Sequence, residues 1–179
     1  DTRHSGVLLQ RLGVSTKLVS CHQHNEEQRL SVAIERLEAG EDIALITDAG
    51  APGVSDPGSR LVDGVAKAGF EVVTIPGPSA VIAALMGAGL NAVRFAFLGF
   101  LPRKGGQRSS LVTGALQMGL APVFFESAQR IEKTLDELYD WCGERRVVVA
   151  RELTKQYETF HRGTLGAALS PPIVTKGEM

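Results

Sequence analysis

Residues 43–58, IALITDAGAPGVSDPG, constrain this chain more than any other stretch. An apolar run, Ile43-Ala44-Leu45-Ile46, gives way to a loop holding three glycines and two prolines, and an apolar-periodic segment follows. Glycine admits positive φ and lets a ligand approach the backbone, whereas each proline fixes φ and removes a donor. Asp56-Pro57 reads as a helix N-cap with a first-turn proline. At the carboxyl end of a strand in an α/β sheet, such a loop is where a small ligand is expected. An ordinary tight connection is the alternative.

The next connection repeats the pattern. Pro76-Gly77-Pro78-Ser79-Ala80 follows a second apolar run, Val72-Val73-Thr74-Ile75. Ser79 is placed to cap the helix predicted over 80–89, or to leave its first N–H groups to a ligand. Two consecutive strand ends would then carry rigid loops on one edge of one sheet.

The rest of the chain alternates in the same way. The pattern predicts a helix over 5–13 closed by Gly13 and a strand over 18–21. Asn25 caps the next helix, with Glu26 and Glu27 in its first turn, Gln28 completing a capping box, and Leu30, Ile34 and Leu37 as the buried stripe up to Gly40. Strand 43–47, helix 57–68 and strand 71–75 follow, which implies a mostly parallel sheet. Beyond about residue 92 come strand 94–100, basic loop 101–108, helix 109–118, strand 121–126, helix 128–142 capped by Ser127, and strand 146–151. Ile131, Leu135, Leu138 and Cys142 share one face of the helix, and 156–163 and 173–179 read as later strands. Gly87, Gly89 and Asn91 mark a hinge, so two α/β lobes are expected over 1–92 and 93–179.

Composition narrows the class. Hydrophobic content of 44% and charged content of 22% are those of an ordinary globular protein. No apolar run approaches a membrane span, and no signal-peptide pattern opens the chain. Cys21 and Cys142 are too far apart in sequence to form a framework, so a reducing cytoplasm is the simplest home. A net charge of −1 does not suggest nucleic acid. Arg103, Lys104 and Arg108 nevertheless cluster around Gly105-Gly106, and a local basic loop can meet phosphates without a basic whole. A solvated loop is the alternative.

Cys21-His22-Gln23-His24 places two imidazoles on one strand face beside Glu26. A zinc site needs three or four firm ligands, and the remaining histidines are His4 and His161, so no metal is expected. His22, His24 and Glu26 stand as candidate proton acceptors, with capping and packing as the equal alternative. Arg151, Glu152 and Lys155 lie at a further strand end, where they serve a site or an ion pair organising the lobe. There is no G-x-G-x-x-G fingerprint of a Rossmann-type site.

DAGAPGVSDPG, PGPSA, HQHNEEQR (22–29), GFLPRKGGQR (99–108) and RELTK (151–155), taken together and in order, resemble the ribosomal RNA small-subunit methyltransferase I family of the tetrapyrrole methylase superfamily. The resemblance implies a two-lobed fold, with a mostly parallel sheet in the N-terminal lobe and a mixed sheet with helices in the C-terminal lobe. The family's first strand is expected before Asp1 and its last after Met179, with a shortened join near Ser170-Pro171-Pro172. The implied activity is S-adenosylmethionine-dependent methylation of a cytidine 2′-hydroxyl in 16S rRNA of the small ribosomal subunit, by a cytoplasmic homodimer that needs no membrane. The cofactor is expected between the lobes, at Asp48, Ala51, Pro52, Gly53, Val54, Ser79 and Ala80. Glu126 matches the strand-end position that meets it and is a fourth catalytic candidate. Arg3, His4, Arg103, Lys104, Arg108, Arg151 and Lys155 are the residues expected to meet RNA. A C-methylase of tetrapyrrole precursors and a non-catalytic ribosome-binding module are the rival readings.

Overall fold

The computed structural model describes residues 2–23, 25–103 and 105–179. They form two compact units, Asp1–Ser79 and Ala80–Met179.

The first unit contains helices α1 (Thr2–Arg11), α2 (Glu26–Glu38) and α3 (Ser59–Lys67). α2 and α3 pack together, and Leu30 lies so close over Gly64 that a Cβ there would fall 2.3 Å from Leu30 Cδ2. The parallel sheet expected in residues 1–92 is not formed among the described residues. The runs 14–21, 41–47 and 70–79 carry no ladder, and Val19, Ile43, Ile46, Val73 and Ile75 are exposed along them. β-branched content favours an extended backbone, but a strand exists only through a partner.

Three caps also differ from expectation: Arg130, not Ser127, precedes the last helix, which starts at Ile131, and no side chain caps it. Asn25 precedes α2, yet its side chain makes no cap bond; Oδ1 accepts from His22 N–H at 2.8 Å and Nδ2 donates to the Ser20 carbonyl at 3.2 Å. Asn25 therefore closes the turn before the helix. α3 is preceded by Gly58, because Asp56 accepts the hydroxyl of Thr47 instead of capping.

The second unit comprises α4 (Ala80–Ala88), β1 (Phe95–Phe100), α5 (Gly106–Gln117), β2 (Ala121–Phe125), α6 (Ile131–Cys142), β3 (Arg146–Arg151) and β4 (Thr159–Thr164). β1 and β2 run parallel, with Phe95 beside Ala121 and a register shift between Phe97 and Phe100, where Gly99 takes φ 63°. β3 and β4 run antiparallel from Arg146–Thr164 to Arg151–Thr159. The mixed sheet is thus realised as two two-stranded sheets. The tail reaches both: Glu126 N–H donates to the Met179 carbonyl at 3.2 Å, and Glu152 N–H to the Glu178 carbonyl at 2.9 Å.

α5 packs on β1, β2 and α6 around a core of Leu101, Val112, Leu138 and Leu165. Ile131, Val149 and Leu169 form a second cluster, so the apolar face expected of α6 is the buried one. The division between units falls after Ser79 rather than at 92, because α4 packs on β3 and β4. Gly87 is not a hinge but a contact: a Cβ there would lie 2.2 Å from Phe160 Cζ, and Arg162 donates to the Gly87 carbonyl at 2.5 Å.

Candidate functional site

The loop after residue 47 holds a tightly specified path. Thr47 bonds Asp56 across its neck, and Val54 N–H donates to the Ala51 carbonyl at 3.3 Å. Gly50, Gly53 and Ser55 take left-handed backbone, and Gly58 sits at φ 128°. Only glycine suits the last position, since a Cβ would also meet Leu45 Cδ2 at 2.7 Å. Asp48, Pro52 and Val54 are exposed, while Ala51 and Gly53 are half-buried. Glu26, 5% exposed, reaches from α2 to accept the Gly58 N–H. It supplies from a neighbouring helix the acceptor that Asp56 does not. A carboxylate enclosed in this way is a strut between α2 and the start of α3, the packing alternative for this residue. His22 is exposed at the turn before α2, and His24 lies outside the described residues. Ser79 and Ala80 lead into α4, half-buried and exposed respectively.

In the second unit, Arg108 and Glu126 are brought together, 18 residues apart in sequence. Arg108 is 3% exposed. Its Nε donates to Glu137 at 2.7 Å, Nη1 to the Pro102 carbonyl at 3.2 Å, and Nη2 to Glu126 at 3.1 Å and to the Thr134 hydroxyl at 2.6 Å. Trp141 lies 5.9 Å from the guanidinium. Glu126, also buried, accepts the Ser127 N–H on Oε1 at 2.9 Å and the Thr134 hydroxyl on Oε2 at 2.8 Å, and Arg130 stands 3.5 Å away.

Burial pushes the Glu126 carboxyl up, but the bonds from Ser127, Thr134 and Arg108 and the charge of Arg130 outweigh it, holding the group below its ordinary 4.5. Two expectations are constrained by this. Arg108 is committed to the interior and cannot meet an RNA backbone without leaving this network. Glu126 has both oxygens engaged in these bonds, so a role toward cofactor or proton would have to be played from within the network.

The cluster ties Pro102, just after β1, to the turn 126–130 after β2, at the carboxyl ends of the parallel pair, where ligands of α/β folds bind. Arg103, next to Pro102, is exposed, and Lys104 lies outside the described residues.

After β3, Arg151 donates to the Lys176 carbonyl at 2.5 Å and to the Tyr157 carbonyl at 3.3 Å. Lys155 bonds Glu152 at 3.2 Å and Glu178 at 2.6 Å. Glu152 and Thr154 are left-handed at φ 50° and 65°, and Thr154 N–H donates to Glu158 at 2.6 Å. These bonds hold a strained turn to the tail, the organising arrangement that the sequence offered as one alternative, while the Lys155 side chain stays 45% exposed. The Glu178 bond, joined by Glu152 and only partly offset by burial, sets the Lys155 ammonium above its ordinary value. Arg3 and His4 are exposed on α1.

Thr134, Glu137 and Glu178 are partners the sequence reading missed; the i, i+3 spacing of Thr134 and Glu137 on α6 was the available signal. His161, 1% exposed, was another: Nδ1 lies 2.7 Å from the Pro171 carbonyl, and Nε2 has no hydrogen-bond partner among the described residues. Among the described residues no three His, Cys, Asp or Glu converge as a metal site, and no helix is long and apolar enough to cross a membrane.

Residues 3–169 match the family of Tetrapyrrole (Corrin/Porphyrin) Methylases. The chain is similar to proteins named Ribosomal RNA small subunit methyltransferase I. The Synechocystis sp. protein is 44% identical over 95% of this chain and 61% of its own length. That of Escherichia coli O157:H7 is 42% identical over 95% and 60%. That of Haemophilus influenzae is 41% identical over 100% and 65%. The chain spans about three fifths of the length of these relatives.

Proposed function

Because this chain belongs to the tetrapyrrole (corrin/porphyrin) methylase family, we propose that the whole protein is an S-adenosylmethionine-dependent methyltransferase acting on the ribose 2′-hydroxyl of a cytidine in 16S rRNA of the small ribosomal subunit. The observation that carries this reading is the identity shared, along nearly the whole chain, with relatives named for that rRNA. It extends to a cytoplasmic homodimer, whose second copy lengthens the surface offered to RNA.

The shape of the first loop supports a cofactor site there. A Cβ at Gly50 would meet nothing within 4 Å, and Asp48 beside it is an exposed carboxylate. Space over the Gly50 backbone and the Asp48 carboxylate suit the ammonium and hydroxyl groups of S-adenosylmethionine. Asp48, Ala51, Pro52, Gly53, Val54, Ser79 and Ala80 would hold it. When bound, it supplies a methyl group on a sulfonium, which needs positioning more than covalent help.

The ribose hydroxyl needs a base, since it is a poor nucleophile until deprotonated. With Glu26 and Glu126 enclosed, His22 is the described candidate whose side chain is exposed, and it takes that role here. Arg103, Lys104, Arg3 and His4 remain the residues assigned to RNA.

The test is methyl-labelled S-adenosylmethionine offered with small subunits lacking the modification, naked 16S rRNA and a tetrapyrrole precursor in parallel. Label in RNA supports the proposal. Label in the tetrapyrrole replaces it with the C-methylase reading, and absence of cofactor binding leaves a non-catalytic module.

A further inference from the structure

The exposed Arg103 and the buried Arg108 belong to one mechanical unit. Leu101 is 3% exposed and anchors the base of the turn. At the next residue, the Pro102 carbonyl accepts from Arg108 Nη1 at 3.2 Å. The other faces of the same guanidinium are tied to the end of β2 through Glu126 and to α6 through Thr134 and Glu137. A planar fork can meet a carbonyl, a hydroxyl and two carboxylates at once; an ammonium cannot. The turn carrying Arg103 is therefore shaped from below by a residue that solvent does not reach.

We propose that Arg108 is a positioning residue, holding the Pro102–Arg103 turn in the form in which Arg103 meets an RNA phosphate while touching no RNA itself. This rests on the RNA-methylating reading above. It places sequence-remote Thr134 in the same function, because its hydroxyl links the guanidinium to Glu126.

The experiment uses the full-length protein and an unmodified 16S rRNA transcript, and reads the slope of log affinity against log salt. Each phosphate contact contributes about 0.7–0.9 to that slope. Arg103→Ala should lower it by about that increment. Arg108→Lys should lower it equally although it keeps the charge, and Thr134→Val, which removes one hydroxyl and no charge, by part of it. Combining either with Arg103→Ala should remove nothing further, because residues acting through one contact are not additive. Melting curves confirm folding, and Thr134→Val carries the test should Arg108→Lys not fold.

Lowered melting temperatures with an unchanged slope would make Arg108 merely structural and overturn the proposal. A double variant losing two increments would make Arg108 a direct contact, which also overturns it. An unchanged slope in Arg103→Ala would remove the turn from the RNA surface. Methyl transfer by the unaltered protein, measured alongside, then shows whether the RNA reading itself survives.

Discussion

Replacing Arg108 by methionine tests the buried cluster as an energetic unit. The side chains of Arg108 and Glu126 are each 4% exposed, so removing the cation strands a carboxylate out of water. Breaking a buried ion pair from one side costs about 3–5 kcal/mol. Three features place this case near the lower end. Glu126 keeps the Ser127 N–H and the Thr134 hydroxyl, and Arg130, one-third exposed, stays 3.5 Å away. Glu137 is 28% exposed and retains Lys133 at 3.8 Å. With a urea dependence of about 2 kcal/mol per molar, a loss of about 3 kcal/mol moves the unfolding midpoint down by about 1.5 M at pH 7.

The pH dependence follows with a definite sign. In the native protein Glu126 is held below 4.5, so its stabilisation stands at neutral pH and is lost as the pH falls through that depressed value. Without Arg108, burial is less opposed and the carboxyl protonates at higher pH, relieving the stranded charge. The gap between native and variant should therefore narrow from pH 7 toward pH 4, and Glu126→Gln added to the variant should recover part of it at pH 7. Urea titrations followed by Trp141 fluorescence at the two pH values measure this. A shift under about 0.5 M, or a gap that stays constant with pH, would refute the reasoning.

Other outcomes follow from the same structure. Gly87→Ala should lower stability by about 1–3 kcal/mol despite a helix-propensity gain of about 1, because the Phe160 ring occupies the space; thermal melts of the single variant and of Gly87→Ala with Phe160→Leu, which should recover stability, check this. Gly58→Ala combines a φ of 128° with a clash on Leu45 and should destabilise the first unit by more than about 1 kcal/mol, read by urea titration. Glu126→Gln should lower turnover through stability while leaving the acidic limb of the pH–rate profile in place; disappearance of that limb would restore Glu126 as the base.

The helices of this fold were largely legible in the sequence, because their signal is local. The stripe of α6 and the glycine after α2 both lie where periodicity put them, and β3 matches its apolar run residue for residue. Pairing was not legible. The runs around Val19, Ile43 and Val73 have strand composition, yet ladder formation depends on partners that composition does not name. Caps failed for a related reason. Asn25 and Asp56 are good cap residues whose side chains found other partners nearby, Ser20 and His22 in one case and Thr47 in the other.

At the site, the loop 48–58 announced itself through glycine and proline, which act on their own backbone. The cluster did not, because Arg108 in a glycine-rich basic loop looks like a phosphate contact until Glu126, Thr134 and Glu137 arrive from 18 to 29 residues away.

The proposed activity is methyl transfer to a ribose oxygen of 16S rRNA. The most direct measurement is to incubate the full-length protein with labelled S-adenosylmethionine and unmodified small ribosomal subunits, then hydrolyse the RNA in alkali. A 2′-O-methyl group blocks cleavage at its own linkage, so label is expected in one alkali-resistant dinucleotide beginning with cytidine. Label released entirely as mononucleotides would place the methyl group on a base and contradict it.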